Sequence, residues 1–123
     1  MYHERSKIVL LHACGHMRDL LPMVRETGLD GIESLNPPPT GNTELAYGRE
    51  VLGPGRSIWG GLDPVFFLRA TPAEIEQEVR QIISVVAPGD HFVLMPADST
   101  PAGVPLDHFD VVRRTIDRYG RWS

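Results

Sequence analysis

The sequence predicts a single α/β domain over residues 1–123, built from parallel strands that are joined by helices. Four short apolar runs, each followed by a segment with helical spacing, repeat at about 30 residues per unit. Most of the 12 glycines and 11 prolines fall between these segments and shape short connections. Alternation at this period is typical of parallel strands with helical crossovers. In such folds the functional loops follow the strands, so we expect them to meet on one rim.

The predicted strands are the apolar runs at residues 7–11, 29–35, 57–62 and 92–95. The predicted helices cover residues 17–26, 43–51, 71–86 and 105–119. Pro22 favours a later start or a kink in the first helix. Thr71, Pro72 and Glu74 provide all the start signals of the third helix, and residues 87–90 end it. The last helix is expected to bury an apolar stripe of Phe109, Val112, Ile116 and Tyr119.

The composition excludes several classes of protein. Twelve basic residues against 16 acidic ones give a net charge of -4, and no basic run is present, so we expect no nucleic-acid partner. The longest apolar runs fall far below the roughly 18 residues that cross a bilayer, so we expect no membrane span. The first seven residues are polar and unlike a cleavable signal. A single cysteine cannot form an internal disulfide, which favours the reducing cytoplasm.

The most reactive stretch follows the first strand, where His12, Cys14 and His16 share a tight turn at Gly15. A thiol between two imidazoles is suited to a metal half-site or a reactive thiolate. Two structural interpretations stay open beside these. The cysteine can simply be packed, because free cysteine is among the most buried residue types. Either histidine can cap the next helix.

Four further positions stand out on the other strands. Glu33 lies inside the second strand, where a charge is costly unless it is paired or functional, so it is either a catalytic group or half of a salt bridge. Asp63 is expected to cap the helix that follows it. Gly60 with its neighbour Gly61 is expected to permit a close backbone approach or a bulge. Trp59 is expected in the core.

Five segments of the chain together resemble the C-terminal half of the uroporphyrinogen decarboxylase superfamily, which includes the zinc-dependent corrinoid and coenzyme M methyltransferases. The match as a whole runs over residues 8–119, and the segments stand in the family's order and spacing. GGLDP, with a TPAEI-type capped helix after it, is the most specific part. The segments are HACGH, LLPMVRETGLDGIESLN, SIWGGLDP, TPAEIEQEVRQII and FVLMPADSTPAGVPLDHF.

The resemblance implies a TIM (β/α)8 barrel, of which this chain corresponds to units five to eight. The substrate-binding arginines and central aspartate of the decarboxylases belong to the N-terminal half, outside this match. The strands at residues 7–11 and 92–95 are then open edges. We therefore expect closure by a second copy, as a homodimer, or by a separate N-terminal half, unless the chain is a lone half or a fragment.

The resemblance also implies a zinc site. His12 and Cys14 match the His-x-Cys pair that holds Zn²⁺ in the methyltransferase branch. Asp98 stands where that branch has its third ligand, a cysteine, and where the decarboxylases have a histidine. His16 is an alternative ligand. Glu33 is expected to act as the catalytic group, next to the ligands or in proton handling.

Three functions are compatible with these observations. The first is methyl transfer to or from a thiol or a corrinoid, with zinc and a small-molecule substrate. The second is a decarboxylase-like protein of porphyrin metabolism that binds a tetrapyrrole. The third is a non-catalytic half-barrel that serves as a remnant or an assembly partner.

Overall fold

A parallel sheet forms the centre of the fold in the computed structural model, which describes residues 2–87 and 91–121. Its four strands are β1 (Leu10–His12), β2 (Gly31–Leu35), β3 (Ser57–Leu62) and β4 (Phe92–Pro96). They lie in the sheet in the order β1-β2-β3-β4, and every neighbouring pair is parallel. The predicted α/β fold with parallel strands is therefore confirmed.

In the part of the chain that the structure describes, five α-helices connect and cover these strands, after a 3-10 turn at His3–Arg5. They are α1 (Leu21–Glu26), α2 (Leu45–Leu52), α3 (Pro64–Arg69), α4 (Pro72–Val86) and α5 (Leu106–Tyr119). Within the described residues, none of these helices is both long enough and apolar enough to cross a membrane.

The sheet has one covered face and one open face. Because consecutive strands are neighbours, right-handed crossovers place their helices on the same side of the sheet. Ile32 and Ile58 point to that side and are fully buried. Trp59 and Val93 pair across β3 and β4 on the opposite face, where Val93 is 41% exposed and Trp59 is half-buried. The prediction that Trp59 is a core residue is wrong, because strand alternation turns it away from the helices.

The first two strands begin later than predicted. Ile8 is 78% exposed, and the Val9 amide donates to the Asp30 carboxylate at 2.6 Å. The Asp30 amide in turn donates to the Val9 carbonyl at 2.9 Å, and regular strand pairing begins one residue later, at Leu10 and Gly31. The predicted bounds of β3 are confirmed, while β4 extends one residue further, to Pro96.

The observed starts of α1 and α4 agree with the local sequence signals that predict them. α1 begins at Leu21, so the later start suggested by Pro22 is confirmed, and Pro22 lies in the first turn, where no amide donor is required. α4 has a complete capping box between Thr71 and Glu74. Pro88, Gly89 and Asp90 of its predicted stop lie outside the described residues.

Helix α5 turns a different face inward from the one predicted. Its buried residues are His108, Val111 and Thr115, while Phe109 is 42% exposed and Ile116 is 37% exposed. The two buried polar side chains are paired: His108 Nδ1 donates to the Phe67 carbonyl at 2.8 Å, and Thr115 donates to the Val111 carbonyl at 2.7 Å. A polar side chain that is hydrogen-bonded can be buried at little cost. The apolar residues of α5 alone therefore did not identify its inward face.

Candidate functional site

The site lies on the open face of the sheet, where β1 and β2 approach their carboxyl ends. His12 and Glu33 are direct register partners, so their side chains leave the sheet side by side. His12 Nδ1 is hydrogen-bonded to Glu33 Oε2. An ionised carboxylate only accepts, so the imidazole holds its proton on Nδ1 and donates it to Glu33. The His12 side chain, which also carries the second ring nitrogen Nε2, is 68% exposed.

This pair shifts the pKa of both partners. The hydrogen bond from His12 lowers the pKa of the Glu33 carboxyl, partial burial opposes that effect, and the Ser34 hydroxyl adds to it. In return, the Glu33 carboxylate raises the pKa of His12, mainly through the hydrogen bond and then through its charge. Both shifts favour a charged, tightly held pair. Glu33 is thus half of a salt bridge, and its partner is His12. Among the described residues its hydrogen bonds go to His12 and Ser34, and none goes to a lysine or arginine.

The remaining predicted ligands make no hydrogen bond with this pair among the described residues. Cys14 is an exposed free thiol two residues beyond His12, and His16 is also exposed. Asp98 follows β4 and is close enough for its charge to raise the pKa of both His12 and Glu33, as a minor effect in each case. Across residues 2–87 and 91–121, no three histidine, cysteine or acidic side chains are gathered as a metal cluster.

The donor types nevertheless fit a zinc ion. Imidazole nitrogen, thiolate sulfur and carboxylate oxygen are the three ligand classes that zinc takes in proteins. His12 has the orientation typical of a metal ligand, since ligating histidines usually donate their second ring N–H to a carboxylate or carbonyl. Cys14 and Asp98 are exposed, so their side chains can turn without disturbing the core.

A buried polar network fixes the loops behind the site. Asp63 caps α3, with its Oδ1 accepting from the Phe66 amide at 2.8 Å, as predicted for this residue. Its Oδ2 accepts from the Thr40 amide at 3.1 Å and from the Thr40 hydroxyl at 2.6 Å. The Asn36 amide, with its nitrogen turned toward two carbonyl groups, donates to Ser34 and Ala97. The loops after β2, β3 and β4 are thus tied together.

Sequence reasoning overlooked Ser34. Its hydroxyl donates to Glu33 Oε1 at 2.8 Å, so it contacts the carboxylate that holds His12. A serine inside an apolar strand carries little signal by itself, because regular alternation would place it on the face opposite Glu33. The register irregularity that brings the two side chains together is a property of the paired strands.

Comparison with known proteins identifies the fold and the family. The chain is similar to the solved structure of a methyltransferase from Methanosarcina mazei, with a TM-score of 0.73 and 20% sequence identity. The match covers 94% of this chain and 32% of the methyltransferase, so the chain spans about a third of that protein's length and has the fold of half a TIM-type barrel. No curated protein matches. The family model for uroporphyrinogen decarboxylase (URO-D) matches residues 1–119, and the chain therefore belongs to the uroporphyrinogen decarboxylase family.

Proposed function

We propose that this chain supplies the zinc-binding part of a methyltransferase site, with His12, Cys14 and Asp98 as ligands and Glu33 as the group that holds His12. The observation that carries the proposal is the hydrogen bond from His12 Nδ1 to Glu33. It directs the second ring nitrogen of an exposed imidazole outward, in the arrangement that zinc-binding histidines use. The similarity to a methyltransferase adds support at the level of the fold.

The proposed reaction transfers a methyl group between a corrinoid and a small thiol. Bound zinc would supply a position at which the thiol loses its proton at neutral pH. The chain's own residues prepare that position. Glu33 stays ionised because the His12 hydrogen bond lowers its pKa, so it keeps the Nδ1 proton in place and makes Nε2 the ring nitrogen that faces away from the carboxylate. We place the activity in the cytoplasm, because a zinc-binding thiol must stay reduced.

We further propose that a second set of βα units completes the site, supplied by a second copy of the chain or by a separate N-terminal half. In the sheet that the described residues form, β1 and β4 are edge strands with one unpaired side each, and such edges favour pairing. The open face between them carries Val93 at 41% exposure. A partner that covers this face would also exclude water from His12 and Glu33, which strengthens their interaction.

A tetrapyrrole-binding role is the second candidate, and the family match is the observation that favours it. Glu33 and Asp98 count against it. Their carboxylates stand close enough for the charge of one to shift the pKa of the other, and together they would repel a substrate rich in carboxylates. A partner role without catalysis is the remaining outcome.

Zinc binding tests the proposal directly. The purified protein should bind one equivalent of zinc, and His12→Ala and Cys14→Ser should each weaken the affinity by at least tenfold, or ~1.4 kcal/mol. His91→Asn is the matched control. His91 precedes β4, at the opposite end of the sheet from His12, and asparagine tolerates its left-handed φ of 57°.

The proposal is contradicted if the wild-type protein takes up no zinc after incubation with the ion, or if the His91 control loses as much affinity as His12→Ala. Methyl transfer from a methylated corrinoid to a small thiol should then be measured on the assembled protein with zinc. Binding of uroporphyrinogen without zinc uptake would instead support the tetrapyrrole role, and the absence of both would leave the non-catalytic role.

A further inference from the structure

Ser34 has a backbone conformation that is rare for a residue with a side chain. Its φ is +70°, in the left-handed region, although it lies inside strand β2 and is only 2% exposed. The register between β2 and β3 shifts between Glu33 and Leu35, so Ser34 is the extra residue of a β-bulge. Bulges re-aim side chains, and they are frequent next to functional sites.

The surroundings are shaped to hold this bulge. Gly60 on β3 pairs with Leu35, and a Cβ atom at residue 60 would lie 2.8 Å from the Leu35 carbonyl oxygen and 2.9 Å from its nitrogen. Glycine at residue 60 therefore makes room for the displaced backbone. On the other side, the buried Asn36 amide donates to the Ser34 carbonyl. The bulge is thus supported both across the sheet and along the chain.

The bulge changes what the serine hydroxyl can reach. In a regular strand, Glu33 and Ser34 would point to opposite faces of the sheet. The left-handed φ instead brings Ser34 Oγ to Glu33, where it donates to Oε1 at 2.8 Å. The other oxygen, Oε2, accepts from His12 Nδ1. Each oxygen of the carboxylate has its own donor, so the carboxylate is fixed in rotation.

We propose that Ser34 is a positioning residue, which fixes the Glu33 carboxylate so that His12 keeps its proton on Nδ1 and presents Nε2 at the rim. Ser34 is buried and acts through Glu33 rather than on a substrate. The inference rests on the proposed function only where it takes His12 Nε2 to be the atom that binds zinc. The orientation of His12 is a property of the metal-free protein and can be measured without zinc.

The test compares two variants that remove the hydroxyl in different ways. Ser34→Gly accepts the left-handed φ without strain, whereas Ser34→Ala keeps the strain, and both lack the donor to Glu33. Ser84→Ala is the control, because Ser84 lies on α4 and donates its hydroxyl to the Gln81 carbonyl, within the same helix. Circular dichroism establishes that each variant is folded.

The measurement is the tautomer of His12, read from the ¹⁵N shifts of its ring at a pH above its raised pKa, which a pH titration of the same shifts locates first. The His12 signals are assigned by their loss in His12→Gln. We expect the Nδ1–H form in the wild-type protein and in Ser84→Ala, and a shift to a mixture with the Nε2–H form in both Ser34 variants. Zinc affinity should also fall in both variants, by about tenfold.

The outcomes separate the two proposals. An unchanged His12 tautomer in Ser34→Gly overturns the role of Ser34, whatever the zinc affinity. A shift to the mixed tautomer in both Ser34 variants supports that role, even in a protein that takes up no zinc. If the tautomer shifts but the protein takes up no zinc, the role of Ser34 is supported and the proposed zinc function fails.

Discussion

At the scale of single residues, Gly60 is a position where the backbone angle and the close approach of a neighbouring strand both require glycine. Its φ is 140°, and an added Cβ would come within 2.9 Å of two backbone atoms of Leu35. We expect Gly60→Ala to lower the free energy of unfolding by at least ~1–3 kcal/mol, the usual cost of a strained backbone. Urea unfolding followed by circular dichroism measures this change.

Gly28→Ala is the matched control for that prediction. Gly28 lies in the loop after α1, and a Cβ built there meets no atom within 4 Å. Its free energy of unfolding should change by no more than about 0.5 kcal/mol. Equal losses in the two variants would mean that residue 60 has no special backbone requirement.

Residue chemistry made part of the site predictable. His12, Cys14 and Glu33 are visible in the sequence because a charged or reactive side chain inside or directly after a buried strand is unusual. The pairing of His12 with Glu33 depends on the register of two strands that residues 13–30 separate in the chain. Ser34 could not be identified, because its role depends on a left-handed φ that no local sequence signal specifies.

At the scale of elements, the start of α4 shows how a helix terminus depends on pH. Glu74 Oε2 accepts from both the amide and the hydroxyl of Thr71, each at 2.7 Å, and these bonds lower the pKa of Glu74. A lowered carboxyl pKa stabilises the fold above the ordinary pKa of the unfolded chain, and this stabilisation is lost as the pH falls through the folded value.

We therefore expect Glu74→Gln to reduce the acid sensitivity of the protein. Stability should be measured by thermal unfolding from neutral pH down to pH ~3, below the ordinary glutamate pKa. The difference between wild type and variant should be largest at neutral pH and should shrink in acid. Glu76→Gln, on the same helix, is the control for loss of charge. If the difference in stability between wild type and Glu74→Gln stays constant with pH, the proposed role of the ionised Glu74 carboxylate is contradicted.

Elements that form through local sequence signals were predicted better than elements that depend on residues distant in the chain. α4 and β3 were predicted well, because a capping box and an apolar run are local signals. α3 was missed, because the helix after Asp63 was predicted to begin only at Thr71, whereas Asp63 caps a helix of six residues that begins at Pro64. The inward face of α5 depends on the Phe67 carbonyl, which lies 41 residues from His108 and has no counterpart in a local pattern.

At the scale of the whole molecule, the open face of the sheet predicts association. If a second copy covers this face, Val93→Lys will place an unpaired charge in the contact and weaken the dimer by at least tenfold, or ~1.4 kcal/mol. Val85→Lys is the control, because Val85 is similarly exposed at 37% but lies on helix α4. Light scattering over a concentration series measures the molar mass. A monomer at all concentrations would point to a separate partner half instead.

The order of the strands determines how further βα units could be added to this sheet. The strands lie in the sheet in the order in which they are translated, so a ribosome that continued into another set of units would extend the same sheet without rethreading it. Two tandem copies of this coding segment would encode eight parallel strands in sequence, the number that closes a βα barrel. Gene duplication with fusion is therefore a short route between a paired assembly and one covalent chain, and a tandem fusion gene offers protein engineers the same route.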